Sequence, residues 1–120
     1  MDARAQKRVL GLLGLGIRAR TAVVGVEQAR EAARKGTLAH AVVADDASSN
    51  SLNKIVPLLR AKGVRTSSGF SAASLGAIAG REATAVIGIL DPRLAEGIRD
   101  ALRSEERDTQ PAPVADEEAV

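Results

Sequence analysis

Apolar and polar positions fall in blocks along the chain, and the period of the blocks switches between that of a helix and that of a strand. In residues 2–19, Val9, Leu10, Leu12, Leu13 and Ile17 lie largely on one helical stripe, leaving Arg4, Lys7, Arg8 and Arg18 to the other faces. This predicts a first helix, weakened by its glycines. The period then changes. Ala22, Val23 and Val24 form a β-branched apolar run that reads as a buried strand, Gly25 turns the corner, and an Ala/Arg/Glu-rich helical segment runs to Gly36. Residues 38–44 are apolar almost without a break and predict a second strand buried on both faces. Residues 50–62 bring Leu52, Ile55, Val56, Leu58 and Leu59 inward on a helix that Pro57 is expected to kink and Gly63 to stop. Val64, Arg65 and Thr66 predict a short edge strand, and a small-residue loop from Ser67 passes into a helix over residues 71–79. Residues 84–90 are the most apolar run and predict a central strand. Asp91 and Pro92 then open a last helix to about Arg103, with Leu94, Ile98 and Leu102 recurring every fourth position.

The order α-β-α-β-α-β-α-β-α predicts an α/β fold, a three-layer α/β/α sandwich with a roughly four-stranded mixed sheet. Residues 1–104 are assigned to one domain and residues 105–120 to a disordered acidic tail; no internal repeat stands out. A chain of 120 residues with 45% hydrophobic positions can bury a proper core.

Composition narrows the chemistry. Phe70 is the only aromatic residue, which removes modes of binding that rely on rows of stacked rings. There is no cysteine and His40 is the single histidine, so a disulfide framework and a zinc cluster fail on ligand supply; no cofactor and no metal are expected. No apolar run approaches the roughly 20 residues that span a bilayer. Charges at Asp2, Arg4, Lys7 and Arg8 argue against a signal peptide, and the chain is expected in the cytoplasm as a monomer without a membrane partner. The net charge of +2 hides a division: residues 105–120 hold one base and six acids, leaving 16 bases against 9 acids in residues 1–104. A body this basic suits a polyanionic partner, and the tail is expected to fold back on it and compete.

Four local patterns bear on function. The strand, glycine and helix start at Gly25 aim unpaired amides and a helix dipole outward, which favours phosphate, and Arg18, Arg20, Arg30, Arg34 and Lys35 are its sequence neighbours. Gly14, Gly16 and Ala19 match a dinucleotide fingerprint but lack a strand before them. Asp45 and Asp46 end the second strand, and capping or turn formation before Ser48 accounts for them better than metal or acid–base chemistry. Phe70, in its Ser/Gly loop, is either an exposed anchor for a ligand or a plug over the core, and His40 reads as a core residue.

Taken in order, GLLGLGIRARTAVVG, VGVEQAREAARKG, AHAVVADDASSNS, SLGAIAG and TAVIGIL resemble the L-seven-Ae/L-thirty-e superfamily of ribosomal and kink-turn RNA-binding proteins, and most of all its bacterial YlxQ-like branch, across residues 8–102. The resemblance implies a grip on RNA bent by tandem sheared G·A pairs, made by the turn after the first strand together with the loop between the third strand and the fourth helix. Gly25 matches the glycine of that turn, Glu27 stands where Asn or Lys is usual, and Gln28 where Glu or Gln is usual. Glu31 takes the place of a basic residue, with Arg30 one position earlier. In the loop, Ser68, Gly69 and Phe70 stand where apolar residues meet displaced bases. Arg18, Arg20, Arg34 and Lys35 are then expected near phosphates, and Gln28 at base edges.

The expected function is a non-catalytic RNA-binding protein of the ribosomal or translation-associated kind, with rRNA or another structured RNA as partner and the ribosome as a candidate host. The alternative is a protein–protein adaptor on the same scaffold, in which Glu27 and Glu31 mark lost RNA contact. An enzyme is disfavoured, because no nucleophile–base pair appears by motif.

Overall fold

Four of the five helices start where a short polar side chain can satisfy an amide of the first turn. The computed structural model describes residues 2–109, the last six of them as helical backbone. Helix α1 (Ala3–Arg18) is capped by Asp2, α3 (Ser49–Ala61) by Ser48 and α4 (Ala72–Ile78) by Ser71. In α5 (Pro92–Thr109) the Asp91 carboxylate accepts from the Arg93 amide at 2.9 Å. Only α2 (Val26–Lys35) starts on a residue with no side chain to offer, Gly25.

Four strands lie between them: β1 (Ala22–Val24), β2 (His40–Val43), β3 (Thr66–Ser67) and β4 (Val86–Ile89). They form one mixed sheet in the order β1-β4-β2-β3. The central β4 pairs antiparallel with β1 (Val23 opposite Gly88) and with β2 (Ala41 opposite Gly88), and β3 joins β2 in parallel at the far edge. The expected three-layer α/β/α sandwich with a central fourth strand and an edge third strand is therefore the architecture. Helices α1, α4 and α5 share one core with Val42, Ile87 and Ile89, while α2 and α3 share the other with Ala41 and Val86. No helix among the described residues is long and apolar enough to cross a membrane.

Boundaries differ from the sequence expectation where hydrogen bonds compete. Val64 donates to the Leu59 carbonyl at 2.9 Å and so closes α3; the β3 ladder begins two residues later than expected, at Thr66. The β2 ladder is shorter than the apolar run 38–44, though Ala39 and Ala44 still donate to Ile89 and Ala85 beyond its ends. Helix α3 runs through Pro57, and α5 continues past Arg103 to Thr109. The expected folding back of an acidic tail falls chiefly on residues 110–120, outside the described residues.

The two acids after β2 act across the sheet end and not on α3. Asp45 accepts from the Gly69 amide at 2.8 Å while its own amide donates to the Phe70 carbonyl, and Asp46 accepts from the Ala72 amide at 2.7 Å. The Gln6 side chain donates to the Gly69 carbonyl from α1. Held in this way, the loop turns Phe70 inward, and the side chain is 0% exposed within the core under α1 and α4. Phe70 is thus the plug and not the exposed anchor, and its assignment to a ligand surface is corrected: a ring with no exposed area cannot stack on a base. Removing it should cost about 3–5 kcal/mol as the Ala variant, because nothing nearby can fill the space. Urea denaturation of Phe70→Ala checks this, and a loss below about 1 kcal/mol contradicts the packing role.

His40 is the one buried side chain with an unsatisfied atom among the described residues. It is 2% exposed, its Nε2 lies 2.9 Å from Ser67 Oγ, and its Nδ1 has no partner. Burial, reinforced by the charges of Arg99 and Arg65, lowers its pKa from 6.5 to about 4. Because the folded value lies below the unfolded one, stability is complete above about pH 6.5 and falls as pH drops toward 4. The loss across that window should approach about 3 kcal/mol. Chemical denaturation from pH 7.5 to 4 should show the slope in the wild type and a flatter one in His40→Gln.

Candidate nucleic-acid interface

Strand directions determine which loops meet. The carboxyl ends of β1, β2 and β3 and the amino end of β4 lie at one end of the sheet, since Val24 faces Ile87, Val43 faces Val86 and β3 parallels β2. That end carries the Gly25 turn, Asp45 and Asp46, residues 68–70, and the segment from α4 into β4. The opposite end carries the approach to β1, the exit from α2 and the exit from β4, where Leu90 donates to the Thr21 carbonyl and Ala39 to that of Ile89.

Gly25 has φ 94° and ψ 164°, a conformation essentially restricted to glycine. Its amide donates to the Val86 carbonyl at 2.9 Å, which ties the turn to the first residue of β4. With no capping side chain, the amides of Val26, Glu27 and Gln28 have no partner among the described residues, and the positive end of the α2 dipole is open. Gln28 folds back: its Oε1 accepts from the Val24 amide at 3.2 Å, filling a gap on the edge strand β1. The carboxamide oxygen is therefore engaged, and what Gln28 can offer a ligand is its NH₂ donors. Glu27 sits exposed in the same first turn.

The cation beside this turn is one the sequence reading missed. Arg81, exposed in the α4–β4 connection, places Nη1 3.2 Å from where a Gly25 Cβ would stand, and it has no ion-pair partner among the described residues. Its position follows from α4. A Cβ on Gly76 would approach the Ala83 backbone to 2.5 Å, so the bare glycine lets the chain double back over the helix. The Arg81 amide then donates to the Gly76 carbonyl at 2.8 Å. The available signal was Arg81 directly after SLGAIAG, a charged turn between a small-residue helix and the central strand.

The cations expected around Gly25 are elsewhere, and this is a correction. Arg18 ends α1 and Arg20 precedes β1, so both belong to the opposite end of the sheet. Arg34 and Lys35 occupy the last turn of α2, about 13 Å along its axis from the first. Lys35 pairs with Glu31 at 3.2 Å in an exposed pair of small energetic weight. Arg30 turns sideways and donates to the Lys54 carbonyl of α3. Neighbours in sequence are separated here because a strand and a helix each carry the chain the full height of the layer. Ser68 and Gly69 share the end of the sheet with Gly25 but stand at its other edge, three strand spacings or roughly 14 Å away. Of the residues expected at the interface, the structure brings together Gly25, Glu27 and Gln28.

Arg20 is notable for its backbone. It closes α1 with φ 62°, donating to the Ile17 carbonyl while Thr21 donates to that of Gly16. This is the helix-ending position where glycine is the usual residue.

The fold belongs to a widely populated α/β/α class, and two solved structures bear on it. A protein of unknown function from Bacillus halodurans C is 24% identical with a TM-score of 0.72, covering 80% of this chain and 97% of that one. The Giardia lamblia 15.5kD RNA binding protein is 18% identical with a TM-score of 0.71, covering 89% of this chain and 92% of its own. At such identities the likeness is one of fold. No family model matches the chain, and no curated protein matches it.

Gly25 and Arg20, both at positive φ, should respond in opposite directions. Gly25→Ala should lose about 1–3 kcal/mol, whereas Arg20→Gly should hold level or gain up to about 1 kcal/mol by relieving a left-handed non-glycine residue. Paired urea titrations measure both, and an unperturbed Gly25→Ala protein contradicts the constraint described.

Proposed function

We propose that this chain is a non-catalytic RNA-binding protein that grips a sharply bent, kink-turn-like RNA at the end of the sheet where the β1–α2 turn meets the α4–β4 connection. The observation that carries the reading is the placement of the unpaired Arg81 guanidinium against an uncapped helix start at Gly25. Guanidinium groups and free helix amides both favour phosphate oxygens, and together they define one anionic locus. The Gln28 NH₂, a turn further on, supplies donors suited to a base edge. The RNA-binding neighbour of the same fold supports the class of partner, and the resemblance to the L-seven-Ae/L-thirty-e superfamily supports the bent-RNA detail. On this reading the protein works in the cytoplasm as a monomer on rRNA or another structured RNA.

Relative to the sequence reading, the second contact element changes: the α4–β4 connection replaces residues 68–70, because the former touches the Gly25 turn and the latter is pinned by Asp45. Glu27 opposes the proposed contact, since a carboxylate in the first turn competes with phosphate for the same amides.

Arg81→Gln should weaken binding to a kink-turn RNA by about tenfold and flatten the salt dependence by about one phosphate. Arg34→Gln, at the far end of α2, should change it little, and Glu27→Gln should tighten it about two- to fivefold at low salt. Gel-shift titrations at several salt concentrations, against the same duplex without its G·A pairs, provide the measurement. Equal losses from Arg81 and Arg34 variants reduce the reading to generic electrostatics, and no binding at low salt favours the adaptor.

A further inference from the structure

A second cationic locus lies on the other side of the molecule, at the β3 edge and under α5. A groove of about 320 Å³ is lined there by His40, Arg65, Ser67, Arg99, Leu102 and Arg103. Its residues come from three elements: His40 opens β2, Arg65 and Ser67 stand opposite it on and before β3, and the arginines and Leu102 come from α5. We propose that this groove binds a phosphate ester, with Arg65 and Arg99 gripping the oxyanion over a floor made by His40 and Ser67.

Three observations carry the assignment. First, Arg65 and Arg99 converge on one groove, and neither guanidinium has a hydrogen-bond or ion-pair partner among the described residues. Arg103 is engaged with Asp100, the one carboxylate in contact with these arginines among the described residues, and retains further N–H groups. Two guanidinium groups gathered at one place with neither paired to a carboxylate among the described residues favour a bound anion, and guanidinium forks suit the tetrahedral oxygens of phosphate. Second, His40 is 2% exposed, lines the groove, and leaves Nδ1 without a partner while Nε2 contacts the Ser67 hydroxyl. Such an unsatisfied buried atom is uncommon, and it belongs to a side chain that lines the groove. Third, the electrostatic field of the site is felt at that ring: Arg99 and Arg65 both help to hold the imidazole neutral near pH 7. A neutral imidazole can present Nδ1–H to a phosphate oxygen while accepting from Ser67, with the tautomer set by the ligand.

The volume is at the lower end of small-ligand cavities. A phosphate on a ribose fits that size, and the apolar Leu102 and arginine stems suit the sugar better than bulk charge does. The ester can reach the groove as a backbone phosphate of a bound RNA or as a free nucleoside monophosphate. The site stands apart from Gly25, at the opposite edge of the sheet, and does not rest on the interface proposed above.

The full chain is titrated at pH 7.5 and constant ionic strength with inorganic phosphate, a nucleoside 5′-monophosphate and a single-stranded RNA octamer, while NMR follows the His40 ring and the Arg65 and Arg99 Nε–H resonances. A saturable shift of these signals is expected, weakened at least fivefold in Arg99→Gln and in Arg65→Gln and retained in Arg81→Gln. Arg65 is exposed, so its variant keeps the test usable if Arg99→Gln folds poorly. Tighter binding of the octamer than of the monophosphate identifies an RNA backbone as the source; the reverse identifies a small nucleotide. A linear, non-saturating response, or an equal response to acetate at matched ionic strength, overturns the proposal. Loss of RNA binding in Arg81→Gln with the phosphate shifts intact separates the two sites.

Discussion

The pairing of β4 with strands on both sides is the constraint on which the rest of the structure depends. Val86, Ile87, Gly88 and Ile89 are all buried, each is registered against β2 and the last three against β1 as well, and both hydrophobic clusters close on this strand. A strand with two antiparallel neighbours and helices over both faces has no alternative register that keeps its apolar groups from water. It also decides which loops come together. The Gly25 amide binds the Val86 carbonyl only because β4 starts where β1 ends, and Arg81 reaches Gly25 only because the chain entering β4 must pass that corner.

Small residues make this compactness possible in a chain with a single aromatic. Gly76 lets the α4–β4 connection lie directly on α4, and Gly16 admits Leu94 from α5, where a Cβ would stand 2.5 Å from its Cδ2. Those close approaches substitute for large side chains in bringing elements together, and they convert a glycine-weakened α1 into a tightly packed one. The matching cost in helix propensity, about 1 kcal/mol per interior glycine, is offset by packing that longer side chains would prevent. Phe70 then fills the one large space left under α1 and α4, held in place by hydrogen bonds from Asp45 and Gln6 to its loop.

Much of this was legible in the sequence, and the failures have a common cause. Runs such as residues 84–90 declare a central strand because a fully buried strand has nowhere to put a polar residue. The switch of period at Gly25 declares a turn because few other residues tolerate its backbone. What local pattern does not carry is the height of each element. Arg20 and Gly25 are five positions apart, yet β1 separates them by its own length, from one end of the sheet to the other, while Arg81 is distant in sequence and adjacent in space. In sequence Asp45 and Asp46 read as capping or turn residues before Ser48; they do stand in a turn, but their carboxylates serve the segment leading into α4, which the parallel β2–β3 pairing brings near. Charge clusters counted along a chain are therefore poor guides to charge clusters on a surface.

The distribution of cations that results changes what a net positive body means. Arg18, Arg20, Arg34 and Lys35 lie at one end of the sheet, Arg81 at the other, and Arg65, Arg99 and Arg103 at the β3 edge. Groups set roughly 14 Å apart exceed the Debye length of about 8 Å at physiological ionic strength, so their fields add only for a distant polyanion in dilute salt. At close range each group acts alone. Affinity for a particular ligand then rests on what each cation has beside it: open helix amides next to Arg81, an unsatisfied imidazole next to Arg65 and Arg99, and an acid next to Lys35 that cancels most of its pull. The first two settings reward an oxyanion with hydrogen bonds as well as charge, and the third does not.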